Sequence, residues 1–547
     1  MKKFNILFAI ASLLIFAQGA WAQDQEPHFK TIKDTDGTVL QDGSENKPFL
    51  IASIEDLNGL AADIKKGLPL NEDGTPSGYW GTYFKLTTDL DYSEIELKDG
   101  SNFTPIGIEG EDPESPTDDL PFMGVFDGDG HTIRGITINQ PEGFNIALFG
   151  YIHGATIKNL TVANSNFTGS IGVGGIAGYT NPSEHWIENC HVASDVTITA
   201  NGVEDYMVGG IVGCDQAGTL TNCTSAAKVV GTEAVGGIVG SISLETVLTD
   251  CYYLSENSNV TGSTKVGVIF GENEEGLVPN ITLFADDSEQ TIKNATRLNS
   301  YNGQAANVTM SGLELANDDK WSTICLPFEM SGFDGTPLAG AGVNVKVFKA
   351  AEYKGNTLTA TFEDASKIDV GMPYIVKGAA LKSPEFETVK VGIETSATTV
   401  EHVTFTGTFD PVTLNENDRT ILYLGDDNKL YFPKEVMTIN PFHAYFKLQE
   451  GIKACSSDGN VNGDENVTVA DITSLVNIIP ALPPEKAGIA DVNDDNNVTV
   501  DDVAALANII LGKDIEGAMR AIKTDDAIGI SYGFGGSSKK PARARKM

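Results

Sequence analysis

The sequence predicts a mainly β chain: a parallel β-helix or solenoid first, an antiparallel β-sandwich after it, and a small α-helical calcium module last. Three observations carry this expectation. A glycine motif recurs through the middle of the chain at intervals of about 30 residues, the range of stacked repeats. After Val308 the pattern changes to short alternating apolar runs. Near the C-terminus two acidic segments almost superpose.

The chain opens with Lys2 and Lys3, an apolar run from Ile6 to Ala17, and then Ala20, Trp21 and Ala22. That is the build of a secretory signal peptide over 1–22, cleaved near Ala22. No cysteine follows the run, so a lipid anchor is not expected. No later stretch approaches the roughly 18 to 20 apolar residues of a membrane helix. The expected destination is extracellular or the cell surface. The 75 acidic against 37 basic residues give a net charge of −38. A surface of that sign repels polyanions, which argues against nucleic acid and favours divalent cations as counter-species. Six cysteines in so long a chain do not make a disulfide scaffold.

Residues 23–120 are expected to cap the solenoid. Within them Ile54, Leu57, Leu60, Ala61 and Ile64 fall at helical spacing, and a short amphipathic helix there could blunt an open sheet edge. The repeats follow over 121–285. Five segments align, Ala147–Gly150, Gly174–Gly178, Gly209–Gly213, Gly236–Gly240 and Gly267–Gly271. Between them runs a second ladder of Asn or Asp before Leu160, Cys190, Cys223 and Cys251. Each period therefore holds two or three short β runs. One unit cannot bury its own apolar face, whereas stacked units share a continuous core. The glycines suit corners with positive φ or close approach between coils. Because Leu160 shares the slot of the three cysteines, those thiols are read as buried rather than ligating. The acidic turn Asp127–His131 starts like a calcium loop, but His131 and Ile138 break the ligand pattern, so it is read as a turn.

These segments resemble the GLUG motif of secreted bacterial surface proteins, and Phe122–Ile133 resembles the usual start of such arrays. The resemblance implies a β-helix-like, adhesin-like surface architecture and names no chemistry.

A polar stretch over 286–307 reads as a linker. From 308 to 452, runs such as Val345–Phe348, Thr357–Phe362, Pro373–Lys377, Val403–Gly407, Ile421–Leu424 and Ala444–Lys447 argue for a β-sandwich-like domain. Trp321–Phe328 resembles a segment that opens β-rich modules in large secreted proteins of gut anaerobes, a likeness without assigned function. Aromatic residues here are read as core rather than as a sugar platform.

Residues 456–513 carry the sharpest chemistry. Counting from Asn460 and from Asp491 places oxygen side chains at positions 1, 3, 5, 7, 9 and 12, the spacing of an EF-hand-type loop. The first set is Asn460, Asn462, Asp464, Asn466, Thr468 and Asp471; the second is Asp491, Asn493, Asp495, Asn497, Thr499 and Asp502. In that scheme position 7 ligates through its backbone carbonyl, so the side chains of Asn466 and Asn497 are dispensable. Each loop leads into an apolar helical stripe, ended by Pro480 and by Gly512. The duplicated unit resembles a type I dockerin, which implies Ca2+ as cofactor and a cohesin-like protein as partner. Positions 10 and 11, Val469 with Ala470 and Val500 with Asp501, lack the paired hydroxyls of some cellulosomal dockerins. The tail, 514–547, has no apolar periodicity and reads as disordered.

The expected function is a secreted, non-catalytic binding protein that joins an assembly through calcium, with a polysaccharide or host glycan as a further candidate partner. The alternative is a dockerin-bearing carbohydrate-active enzyme, a β-helix lyase or glycoside hydrolase of polysaccharide catabolism. Against it, the slots after the glycine motif are Tyr151, Tyr179, Cys214, Ser241 and Glu272, with no recurrent carboxylate to form a catalytic pair.

Overall fold

The computed structural model describes residues 26–109, 119–201, 206–243, 245–273, 276–286, 288–315, 320–340, 342–354, 357–425 and 427–449, with Val503 and the strand Ala527–Ile530. They fall into two units: one runs to Ile281 and includes Ala305–Asn307, the other takes Thr282–Gln304 and everything from Val308.

The first unit is a right-through β-solenoid. A coil is made of five short strands rather than the two or three expected, for example Thr156–Lys158, Thr161–Ala163, Asn166–Gly169, Ile171–Val173 and Ala177–Thr180. Every one pairs in parallel with its counterpart in the next coil, so five sheets run along the unit. The longest contains eight successive rungs here, from Phe49–Ile51 through Tyr83–Leu86, Val125–Asp127, Thr156–Lys158, His185–Glu188, Gly218–Thr221 and Val247–Thr249 to Asn280–Phe284. The register puts like on like: Ile157 lies opposite Ile187, which lies opposite Leu220, which lies opposite Leu248. All four are fully buried, as are Ile176, Ile211, Ile238 and Ile269 inside the glycine motifs. Burying one such side chain stabilises by roughly 1.5 to 3 kcal/mol, so each coil adds its share to one continuous core.

Of the two uses expected of the glycines, the corners take one. Positive φ falls on the Asn/Asp ladder, at Asp129, Asn159, Asn189, Asn222 and Asp250, with φ between 50° and 55°. Asn and Asp tolerate this left-handed region because their short polar side chains bond locally. Here they also bond along the stack: Asn189 Nδ2 donates to Asn159 Oδ1 at 3.2 Å, and Asn159 Nδ2 to Asp127 Oδ1 at 2.9 Å. The motif glycines have no positive φ; they are required by close approach. A Cβ on Gly209 would stand 1.9 Å from the Val212 carbonyl oxygen, one on Gly210 2.0 Å from that of Gly237 in the next coil, and one on Gly213 2.5 Å from the Gly172 carbonyl carbon of the previous coil. The first glycine thus closes the turn, the second lets the next coil stack, and the third seats the preceding strand.

The predicted helix, α1, spans Ile54–Lys65 and buries Leu57, Leu60, Ala61 and Ile64. Ser53 caps it, accepting from the Asp56 amide at 3.2 Å. Asp63 on its inner face accepts from the Tyr79 hydroxyl at 2.6 Å, and burial together with that carboxylate pushes the Tyr79 phenol far above its ordinary range.

In the second unit, the stretch expected as linker contains a helix, α2, over Asn294–Tyr301. It has no side-chain cap, and buried polar groups fix it instead. The Asn294 side chain brackets Phe284, donating to its carbonyl at 2.7 Å and accepting from its amide at 2.9 Å. That arrangement leaves almost no apolar periodicity to read. The anticipated strands are present, Asn344–Lys354, Thr357–Asp364, Pro373–Lys377, Val403–Gly407, Ile421–Leu424 and Ala444–Leu448, in two five-stranded antiparallel sheets. Ala527–Ile530, within the stretch read as disordered, pairs antiparallel with Leu358–Thr361 at one edge. Side chains of both sheets meet in one aromatic core, where Phe405 and Phe446 stack at 4.3 Å and Phe348 and Phe362 meet them edge-on. The signal-peptide segment and the calcium-loop segment lie outside the described residues.

Candidate binding surfaces of the solenoid

One ladder of the solenoid passes through the slots after the glycine motif, with Tyr151 and Cys214 buried and Tyr179, Ser241 and Glu272 half-buried. Tyr151, Tyr179, Cys214, Ser241 and Glu272 are register partners on five successive rungs. The rings of Tyr151 and Tyr179 lie 5.9 Å apart, and Asn181 Nδ2 donates to the Tyr151 hydroxyl at 2.6 Å. Burial pushes the Cys214 thiol up to about 12, so it is not a nucleophile at neutral pH. At the far end Lys265 bridges Glu233 and Glu272. The line thus places four side-chain types at one repeated position, with Tyr179, Ser241 and Glu272 part-exposed.

A wider depression of about 590 Å3 opens between α1 and the loop that leads into the third rung. Its structural amides are already engaged: Asn102 Nδ2 donates to the Tyr92 and Gly135 carbonyls, and its oxygen accepts from the Thr137 amide at 2.8 Å. Asn58 accepts from the Tyr92 hydroxyl at 3.1 Å. The remaining rim carries Lys65, Lys98, Glu96 and Asp99, both signs of charge. Neither lysine makes an ion pair among the described residues. This rim was not anticipated, because α1 and the loop are separated by a coil's worth of sequence and only folding brings them together.

Two further clusters are structural. Cys190, Cys223 and Cys251 are fully buried on successive coils, as their shared slot with Leu160 implied. Each thiol shares its one S–H between two carbonyls in reach, the one two residues before it and one in the preceding coil. Burial raises the Cys223 and Cys251 thiols well above the ordinary range. Deeper still, His185 Nε2 meets Asp215 Oδ1 at 2.7 Å with both side chains wholly shielded. Asp215 also accepts from Thr246 Oγ1 at 2.6 Å and the Gly218 amide at 3.1 Å, while His185 Nδ1 donates to the Ser183 carbonyl at 3.0 Å. With both ring nitrogens used and no access to solvent, this pair holds three loops together and does no acid–base work. The sequence shows His185 and Asp215 only as scattered polar residues. Asp127–Gly130 is a turn, closed by the His131 amide donating to the Gly128 carbonyl at 2.8 Å.

No group of three or more His, Cys, Asp or Glu among the described residues is arranged to hold a metal ion. The twelve calcium-loop positions, from Asn460 to Asp502, lie outside those residues. No helix among the described residues is long and apolar enough to cross a membrane.

The chain is similar to Halomucin of Haloquadratum walsbyi, with 29% identity over 230 residues. That match covers 40% of this chain and 2% of the relative, so it bears on a segment and not on the whole of either protein. No family model and no solved structure matches the chain.

Proposed function

We propose that this protein is a secreted, non-catalytic binding protein of the cell surface or extracellular space. In this reading the first 22 residues are a signal peptide, the solenoid is a GLUG-type array that presents binding surface, and the second unit is a β-sandwich. The 456–513 segment is a dockerin-like module that takes Ca2+ and joins a cohesin-like partner. The observation that carries the binding reading is the registered line from Tyr151 to Glu272, whose part-exposed members Tyr179, Ser241 and Glu272 include a single carboxylate. Two-carboxylate hydrolysis of a glycosidic bond needs acids converging at about 5 to 9 Å, whereas a varied ladder suits recognition of an extended ligand. The mixed-charge depression beside α1 adds polar surface at the same unit.

The calcium reading rests on donor chemistry. Both loops offer only oxygen donors, the hard ligands that Ca2+ selects, at the spacing an EF-hand-type loop uses. Three carboxylates in the second loop, Asp491, Asp495 and Asp502, against Asp464 and Asp471 in the first, make the second the tighter site. The test combines calorimetric calcium titration of the full chain with a polysaccharide panel scored for both binding and reducing-end release. Uptake of calcium and binding without release is the expected result. Release of reducing ends would make the chain an enzyme, and no calcium uptake would remove the dockerin-like module.

A further inference from the structure

The second unit contains a cavity of about 220 Å3 at the ends of the strands Ser322–Cys325, Ile421–Leu424 and Ala444–Leu448. Its walls are amphipathic. Trp321, Tyr423, Met437 and Ile439 supply apolar surface, and Ser322, Asn440 and His443 supply polar groups. His443 Nδ1 donates to the Thr323 carbonyl at 2.7 Å, which fixes the ring and leaves Nε2 as the acceptor. Burial holds His443 below its ordinary value, so the imidazole is neutral at pH 7. The backbone around it is already satisfied: the Ala444 amide donates to Thr323 Oγ1 at 3.0 Å and the Trp321 amide to Asn428 Oδ1 at 2.7 Å.

The side chains are not. The Tyr423 hydroxyl, the Asn440 amide, the Ser322 hydroxyl and the Trp321 indole N–H make no hydrogen bond to protein among the described residues and stand open to solvent, where a ligand can replace water. Several donors and acceptors therefore converge on a small space with aromatic and aliphatic walls, and no charged side chain lines it. Lys377 lies 5.1 Å from the Trp321 ring centroid and is not among the lining residues. A purely apolar ligand would strand these polar groups, each at a cost, and an anion would find no cation in the lining. A polyhydroxylated ring with one apolar C–H face matches both kinds of wall, and the volume admits a single ring, being below the range of drug-sized pockets.

We propose that this cavity binds one neutral pyranose unit. The site is separate from the calcium module, so its test is run both in calcium and in EDTA. The probes are the methyl glycosides of glucose, galactose, mannose and N-acetylglucosamine, with glucuronate and p-cresol as charged and apolar comparators. Binding to the full chain is read by saturation-transfer NMR and tryptophan fluorescence. At least one neutral glycoside should bind with a Kd on the order of 1 mM, the scale for so small a ligand. Asn440→Ala and Tyr423→Phe should each weaken it about fivefold or more, the value of one hydrogen bond, while leaving the thermal midpoint unchanged. Both variants keep the core packing, since Asn440 is exposed and Tyr423 loses only its hydroxyl. Absence of saturation up to about 50 mM would overturn the proposal. So would unchanged affinity in both variants, or preference for p-cresol or glucuronate.

Discussion

Replacing Gly210 by alanine tests the stacking account at its tightest point. The new Cβ would stand 2.0 Å from the Gly237 carbonyl oxygen and 2.3 Å from Ser225 Oγ, where ordinary contact is above 3 Å. Rotation of Ser225 could relieve the second clash, but the first is backbone against backbone. Relief requires the two coils to part by more than 1 Å locally, about a fifth of the inter-strand spacing. The bonds at risk are Gly210 N–H to the Gly236 carbonyl at 3.2 Å, Ile211 N–H to Ile238 at 2.8 Å and Val212 N–H to Ile238 at 3.1 Å. Overpacking costs about 1 to 3 kcal/mol and each weakened bond up to about 1, so a loss of about 4 kcal/mol is expected. Gly332→Ala is the control, because nothing lies within 4 Å of its Cβ and its φ is not left-handed. That change should stay within about 1 kcal/mol of the parent. Urea unfolding followed by circular dichroism should lower the midpoint for Gly210→Ala by about 1 to 2 M and leave the control unmoved. Equal midpoints for the two variants would refute the close-approach reasoning.

The buried pair makes stability depend on pH. Burial opposes charge on both groups, yet the hydrogen bond and opposite charge dominate, raising His185 above 6.5 and lowering Asp215 below 3.8. Their contribution is therefore complete between about pH 3.8 and 6.5. It fades as pH falls through the lowered Asp215 value or rises through the raised His185 value. Asp215→Asn should cost about 3 to 5 kcal/mol near pH 5.5, measured by denaturant titration, and a change below about 1 would show the pair to be incidental. The stacked thiols of Cys190, Cys223 and Cys251 should resist Ellman's reagent at pH 8 until the solenoid unfolds; rapid labelling of a chain with native dichroism would contradict their burial. For the calcium loops, Asp491→Ala should weaken calcium affinity more than Asn460→Ala by about tenfold, since only the first removes a carboxylate; the reverse order in calorimetric titration would overturn the ranking.

How much of this was legible follows from what repetition encodes. The solenoid could be read because each coil repeats the same physical demands: an apolar slot at Leu160, Cys190 and Cys223, a left-handed corner at Asn159, Asn189 and Asn222, and a side-chain-free contact at Gly210 and Gly237. The sequence left glycine's use open between positive φ and close approach, because its letter does not say which, and the structure selects close approach at the motif glycines. Asparagine supplied the left-handed corners and left glycine for the contacts that no Cβ could survive. The same limit hid the left-handed φ of Met207, Ala234 and Lys265, at 65°, 51° and 50°. Coil register imposes these angles on residues that would not choose them, at roughly 1 kcal/mol each. Helix α2 was unreadable for a related reason. Its burial of Asn294 and Arg297, answered by backbone carbonyls of the neighbouring strand, inverts the apolar pattern on which periodicity depends.

The candidate surfaces follow the opposite logic. A ladder position such as Tyr151, Tyr179, Cys214, Ser241 and Glu272 is easy to locate because the repeat numbers it, yet its chemistry varies with its surroundings, buried at Tyr151 and Cys214 and half-buried at Tyr179, Ser241 and Glu272. The cavity beside Trp321 is the converse case. Trp321 lies about a hundred residues before Tyr423, Asn440 and His443, and no spacing rule joins them. What singles them out is that solvent-facing polar atoms and aromatic side chains ring one small depression in the second unit. Solvent-facing donors and acceptors beside aromatic side chains around one small space suit a ligand that has both a polar rim and an apolar face.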